Sequence, residues 1–248
     1  MTLPRAPDLY PVIDHTWPPV RLFDLGLWRL REGRRGSGSR TCAATLREGN
    51  PTAADLAEAE TAMRHMGQPP LFMIREGETA LDHLLETESY VLKDPVTLYA
   101  APVDAIATDA PPPITCFEIW PPLAAQEEIW AQGGIGPERL AVMHRAATPK
   151  TTIFGRIDDR PAGTGFVALD GRIAMVHALE TRAEHRRRGM GRYMMQAMAF
   201  WAKARDATHI TLLVTGANLP ANALYASMGF QPVGHYHYRI KKETDEQT

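Results

Sequence analysis

Apolar and polar positions along the second half of the chain alternate in short runs punctuated by tight turns. Thr151 to Ile157, Ala162 to Leu169 and Arg172 to Thr181 read as three strands. They are joined by Asp158-Asp159-Arg160-Pro161 and by Asp170-Gly171, the second a hairpin signal. The period then changes. Gly191 to Arg205 offers Met194, Met195, Met198, Phe200 and Trp201 to a core and reads as a long helix. His209 to Thr215 is a strand, Leu219 to Met228 a helix closed by Gly229, and His235 to Ile240 a last strand. Upstream, Thr115 to Trp120 is a first strand. A helix from Leu123 to Gln132 is stopped by Gly133-Gly134, and a second begins at Pro137 and runs to about Ala146. The order β-α-α-β-β-β-α-β-α-β implies a mixed sheet with helices on both faces, of the α/β (α+β) class.

The first half is patterned differently. Leu27 to Glu32 and Arg40 to Leu46 read as short strands around a Gly33–Gly38 tip. Asn50-Pro51-Thr52 opens a helix over Ala53 to Met66, and Gly67 closes it. Pro70 to Arg75 is a strand, Thr79 to Glu86 a helix and Val96 to Ala101 a strand. Pro102 to Pro113 is small, proline-rich and without periodicity, as an extended connector would be. The expected organisation is therefore a smaller α+β domain over 1–103, a linker over 104–114 and a second domain over 115–248. Phe72 to Tyr99 echoes Leu212 to Tyr238 in its order of strand, Ala-Leu helix, aromatic and strand. Internal duplication and chance similarity both account for that.

Composition narrows the classes. At 248 residues, with 44% hydrophobic and 23% charged side chains, the chain can bury a core. Its net charge of −2 gives no overall attraction to nucleic acid or membrane, so neither partner is expected. Cys42 and Cys116 stand outside any metal-ligand or CxxC spacing, which predicts reduced thiols and no metal. Met1 to Pro19 has five prolines and no apolar leader core, and no run approaches transmembrane length. A cytoplasmic location is expected. Lysine is scarce beside arginine, the bias of a GC-rich bacterial genome.

The strongest local signal is Glu184-His185-Arg186-Arg187-Arg188-Gly189-Met190-Gly191-Arg192. It lies between a predicted strand and a predicted helix. The first turn of a helix leaves backbone N–H groups unpaired, and the macrodipole adds positive potential there. Anions bind at such ends. Gly189 and Gly191 remove side chains where a phosphate must meet the backbone, and Arg186, Arg187, Arg188 and Arg192 add charge. No GxxxxGK[ST] occurs, and GxGxxG fails at Met194, so the anion is neither an NTP nor a dinucleotide.

Arg186-x-x-Gly189-x-Gly191 resembles the (Gln/Arg)-x-x-Gly-x-(Gly/Ala) loop of the GNAT superfamily of N-acetyltransferases. The resemblance covers roughly Thr115 to Ile240, and the element order is also that family's. Asn218-Leu-Pro-Ala221-Asn222-Ala-Leu-Tyr225-Ala-Ser-Met-Gly229-Phe230 resembles the family's Asn-x-x-Ala-x-x-x-Tyr-x-x-x-Gly-Phe helix. The resemblance implies a GNAT-type mixed sheet after a degenerate GNAT-like N-terminal domain. It implies that the amides of the Arg186–Arg192 loop, Met190 included, bind the pyrophosphate of acetyl-CoA. It further implies that Asn218 contacts the pantetheine arm and that Tyr225 is the general acid for the departing thiolate. Backbone groups of Leu179 and Thr181 would be bared where their strand splays from the next. One of those amides would polarise the thioester carbonyl.

The implied reaction is direct attack of a primary amine on acetyl-CoA within a ternary complex, with no enzyme nucleophile and no metal. The base that deprotonates the amine is open. Some relatives place a glutamate where this chain has Met175. His177 lies two residues on, and Glu180 is the other candidate, through a water, especially if a bulge alters the strand's alternation. His235, His237 and Tyr238 are either pocket or strand surface. The first half lacks both motifs and would cover the acceptor side, with Trp17, Trp28, Tyr90 and Tyr99 as wall or core. Competing readings are an aminoacyl-tRNA-dependent transferase of paired GNAT folds, a CoA-binding sensor without turnover, and a nucleic-acid binder using Arg186–Arg188. The acceptor amine and oligomeric state are not legible.

Overall fold

A computed structural model describes residues 2–241, so the expected domain's last stretch, 242–248, and Met1 lie outside the described residues. The chain divides into two compact units, and each threads through more than one stretch of sequence. The first comprises Met1–Pro18, Thr97–Val214 and Asn218–Gly234; the second comprises Pro19–Val96, Thr215–Ala217 and His235–Thr248.

The first unit opens with helix α1 (Ala6–Thr16), which the density of prolines had concealed in the sequence. Its buried face, Leu9, Val12, Ile13 and Thr16, has helical spacing. The Asp8 carboxylate accepts from the Arg5 N–H at 2.9 Å and satisfies one donor of the first turn.

In the second unit lie β1 (Arg21–Leu25), β2 (Trp28–Glu32) and β3 (Thr45–Leu46), an antiparallel sheet in that order. The expected strand over Arg40 to Leu46 is only its last two residues, because a 3₁₀ turn takes Ser39–Thr41. Then come α2 (Ala53–His65), β4 (Leu71–Arg75), α3 (Thr79–Thr87) and β5 (Tyr90–Pro102), whose end passes into the first unit. Thr52 and Asp55 form a reciprocal cap on α2.

The expected extended linker departs most from sequence. Val103–Ile106 is a helical turn, α4, and both end residues are buried in the first unit's core. Without regular periodicity, two apolar residues three apart still cover a core edge. Thr108 to Ile114 is the part that stays largely exposed.

The rest of the first unit follows the expected order. It consists of β6 (Cys116–Ile119), α5 (Ala124–Gln132), α6 (Pro137–Arg145), β7 (Lys150–Ile157), β8 (Arg160–Asp170) and β9 (Ile173–Thr181). Then come α7 (Met190–Lys203), β10 (His209–Thr215), α8 (Leu219–Ser227) and β11 (Gln231–Lys241), whose end lies in the second unit. Strand order here is β5-β10-β9-β8-β7-β6; β9 and β10 are parallel, and β6 to β9 antiparallel. Alternation along β8 divides the core: Val167 and Leu169 face α7, while Phe166 and Ala168 face Trp17, Trp130, Val142 and Met143 from the α1, α5 and α6 side.

In the second unit β11 runs antiparallel beside β4. Both echoed segments are strand-helix-strand, β4-α3-β5 and β10-α8-β11. His237 Nε2 and Arg239 Nε donate to Asp82 at 2.8 and 2.7 Å, so the last strand is tied to α3. Burial alone would raise the Asp82 pKa, but the bonds from Arg239 and His237 outweigh it and hold the carboxyl below its ordinary value. A lowered folded-state pKa contributes stability above the unfolded value and loses it as pH falls through the folded one. Asp82→Asn is therefore expected to flatten the loss of stability below about pH 4, near the ordinary carboxylate pKa. Urea unfolding of both proteins between neutral and acid pH measures this.

Candidate active site

The site begins with an irregularity in β9. Thr164 pairs with Glu180 and Phe166 with His177, so Gly165 alone stands opposite Ala178 and Leu179. Ala178 takes φ 51°, a left-handed conformation for a non-glycine residue. This is a β-bulge, and it re-aims every side chain after it. Leu179 turns to the α7 side beside Gly165. Glu180 turns to the α5 side, where its carboxyl lies over Gly133; a Cβ there would stand 2.7 Å from it. Pairing of β9 with β10 runs from Ile173↔His209 to Val176↔Leu212 and goes no further, although both strands continue. The edge of β9 that carries Leu179 and Thr181 is thus not paired with β10.

Next along the chain comes the arginine-glycine loop. Arg187 has φ 59° and Gly189 φ 84°, and Gly189 is the N-cap of α7 with no side chain capping the first turn. The Tyr193 N–H is the first to bond back, to the Gly189 carbonyl, which leaves the amides of Met190, Gly191 and Arg192 without helical acceptors. Gly191 has a packing reason as well: a Cβ there would lie 3.0 Å from Leu224 of α8. The arginines are dispersed. Arg186 bonds to the Thr181 carbonyl at 3.2 Å and Glu180 at 3.3 Å, Arg188 to Asp158 at 2.8 Å, and Arg192 to the Ser227 hydroxyl at 2.9 Å. Arg187 is exposed.

Tyr225 projects from α8 and is 6% exposed, packed on Tyr99 and Phe230 at ring separations of 6.3 and 5.9 Å. Its hydroxyl makes no hydrogen bond among the described residues. Burial, with the negative charge of Glu180, pushes its pKa up, so the phenol keeps its proton throughout the neutral range. Tyr99 is fixed in turn by donation to Asn222 at 3.1 Å. Asn218 is the exposed N-cap of α8, its side-chain oxygen accepting from the Ala221 N–H at 3.2 Å.

Of the two base candidates, Glu180 is brought within electrostatic reach of Tyr225. His177 is 3% exposed, its ring 5.0 Å from Trp17 and 6.1 Å from Phe166. The Thr16 hydroxyl gives its proton to the Val12 carbonyl at 2.6 Å, so His177 Nε2 donates to Thr16 at 2.9 Å. An imidazole enclosed this way is a core group. His237 is engaged with Asp82, while Tyr238, Trp17, Trp28 and Tyr90 are buried core residues. Sequence reading missed Trp130 and saw Gly133 only as a helix stop; the one available signal was the seven-residue periodicity linking Gln126, Trp130 and Gly133. No described helix is long and apolar enough to cross a membrane, and the described residues hold no group of three metal-ligating side chains.

A mixed sheet with a bulged strand splayed from its parallel neighbour, followed by a glycine loop opening a helix, defines an acetyltransferase-type fold. Residues 114–230 match the Acetyltransferase (GNAT) family, so this stretch of the chain carries a domain of that family. Uncharacterized N-acetyltransferase YobR of Bacillus subtilis is 41% identical over 59 residues, 24% of this chain and 24% of its own. The chain covers between 24% and 36% of the length of the curated relatives it matches. Among solved structures, a GCN5-related N-acetyltransferase from Kribbella flavida superposes with a TM-score of 0.68 at 17% identity, covering 95% of this chain and 94% of that one. A tandem GNAT protein from the clavulanic acid biosynthesis pathway gives 0.63 at 13% identity, covering 97% and 89%. These two likenesses concern the fold, and they extend over both units.

Proposed function

We propose that the protein is an N-acetyltransferase that moves the acetyl group of acetyl-CoA to a primary amine in a ternary complex. The carrying observation is the buried Tyr225 phenol, unbonded among the described residues and under the field of Glu180. Around it, the free amides of Met190, Gly191 and Arg192 suit a pyrophosphate, and the Leu179–Thr181 edge suits the amides of a pantetheine arm. Glu180 accepts the proton the amine must lose, directly or through a water. A Leu179 or Thr181 N–H polarises the thioester carbonyl. The amine nitrogen forms the new C–N bond, the C–S bond breaks, and Tyr225 donates toward the sulfur. Asn218 contributes by holding the start of α8, which carries Tyr225. The second unit, with its strand-helix-strand echo, is read as the degenerate partner of a duplication.

The test is acetyl-CoA calorimetry followed by a thiol-release assay across a panel of primary amines. Micromolar binding with amine-dependent thiol release supports the reading; binding with no release for any amine leaves a CoA-binding protein instead. Glu180→Gln is expected to retain acetyl-CoA binding and to lose about 10²-fold in kcat, the usual size of a general-base contribution. An unchanged kcat would remove Glu180 from the role.

A further inference from the structure

The inward face of α5 carries one tie to the sheet at each successive contact, at Gln126, Trp130 and Gly133. These are spaced four and three apart, so they share a face. Gln126 is fully buried, and its amide donates to the Thr152 and Thr164 hydroxyls at 2.9 and 3.0 Å. Its carbonyl accepts from the Leu123 N–H at 3.0 Å. That fixes the helix over β7 and β8. One turn on, Trp130 is 0% exposed and its indole N–H donates to the Ala178 carbonyl at 2.7 Å. Ala178 is the left-handed residue of the bulge. Less than one further turn on, Gly133 leaves room for the Glu180 carboxyl.

We propose that Trp130 and Gly133 are positioning residues: Trp130 holds the bulge that presents Leu179 and Glu180, and Gly133 sets where the Glu180 carboxylate comes to rest. The physical need is specific. A left-handed alanine is disfavoured relative to a regular strand, so without a grip on its carbonyl the strand gains by returning to ordinary pairing. A one-residue change of register turns Glu180 to the opposite face. The indole needs a partner because it is buried, and the bulge carbonyl is the partner it has.

This inference rests on the proposed reaction, so the experiment includes a measurement that needs no turnover. Gly133 has φ −83° and ψ 6°, which alanine adopts without strain, so Gly133→Ala leaves folding intact. Its Cβ displaces the carboxylate, and kcat is expected to fall about 10- to 100-fold, the scale of an ångström's misplacement. Acetyl-CoA affinity and the KM for amine should stay within about 2-fold, as uniform binding is untouched. Trp130→Phe should give the same split and should speed amide hydrogen exchange at residues 178–181, read by NMR. Adding Ala178→Gly to Trp130→Phe should recover kcat at least in part, because glycine adopts the left-handed conformation without the Cβ penalty.

Wild-type kcat in Gly133→Ala, or a Trp130→Phe loss that Ala178→Gly does not recover, overturns the proposal. If Trp130→Phe fails to fold, Gly133→Ala decides alone. If no amine is acetylated, the reaction reading fails separately, and the exchange data still decide whether Trp130 holds the bulge.

Discussion

Tyr225→Phe is expected to lower kcat by about 10²- to 10³-fold, within the range of general acid–base contributions. Acetyl-CoA affinity should change by less than about 2-fold, since the lost hydroxyl bonds nothing among the described residues and the ring keeps its contacts. The substitution removes one oxygen from a ring packed on Tyr99 and Phe230, so no cavity forms. The phenol's raised pKa sharpens the expectation. An ordinary thiol has a pKa of about 8.5, below the ordinary tyrosine value of about 10, so full transfer from tyrosine to thiolate is uphill at rest. In the proposed reaction Tyr225 would therefore act while the C–S bond is breaking and recover its proton afterwards. Stopped-flow thiol release beside calorimetry separates the two effects. Weaker cofactor binding with normal release would refute the acid role.

Gly189→Val is expected to weaken acetyl-CoA binding by at least about 10-fold while leaving the melting temperature nearly unchanged. At φ 84° a side chain costs about 1–2 kcal/mol, more for a β-branched one, and about 1.4 kcal/mol is tenfold in affinity. The N-cap relaxes to relieve that strain, and the amides of Met190 and Gly191 turn away from the position that suits a phosphate. Gly189→Asn, which tolerates the left-handed region, is the control and should retain affinity within about 3-fold. Gly191 is the poorer position for this test. Its Cβ would press on Leu224, so a large residue there separates α7 from α8 and disturbs Tyr225 along with the loop. Equal affinity in Gly189→Val and wild type would place the cofactor elsewhere.

Much of the second half was legible because its physics is local. Strand alternation from Thr151 to Thr181, the apolar stripe from Met194 to Trp201 and the glycine after α8 each act within a few residues. The folded strands and helices fall close to those positions. The first half was less so. Prolines hid α1, whose apolar face has the right spacing all the same. The compact units are assembled from separate stretches, because β5 and β11 each cross from one unit into the other. No local pattern announces that.

The site divides along the same line. By itself the sequence determined the glycine loop at a helix start, the tyrosine helix and the family resemblance, since these depend on residue type at fixed spacing. Only the tertiary structure shows where His177 and Glu180 lie. One extra residue in β9 opposite Gly165 reverses the alternation, leaving His177 in the core under Trp17 and swinging Glu180 toward Gly133. A bulge is a bargain among β8, β9 and the helix that grips it, and Trp130 lies 48 residues from Ala178 along the chain. Such long-range contacts leave no periodicity to read.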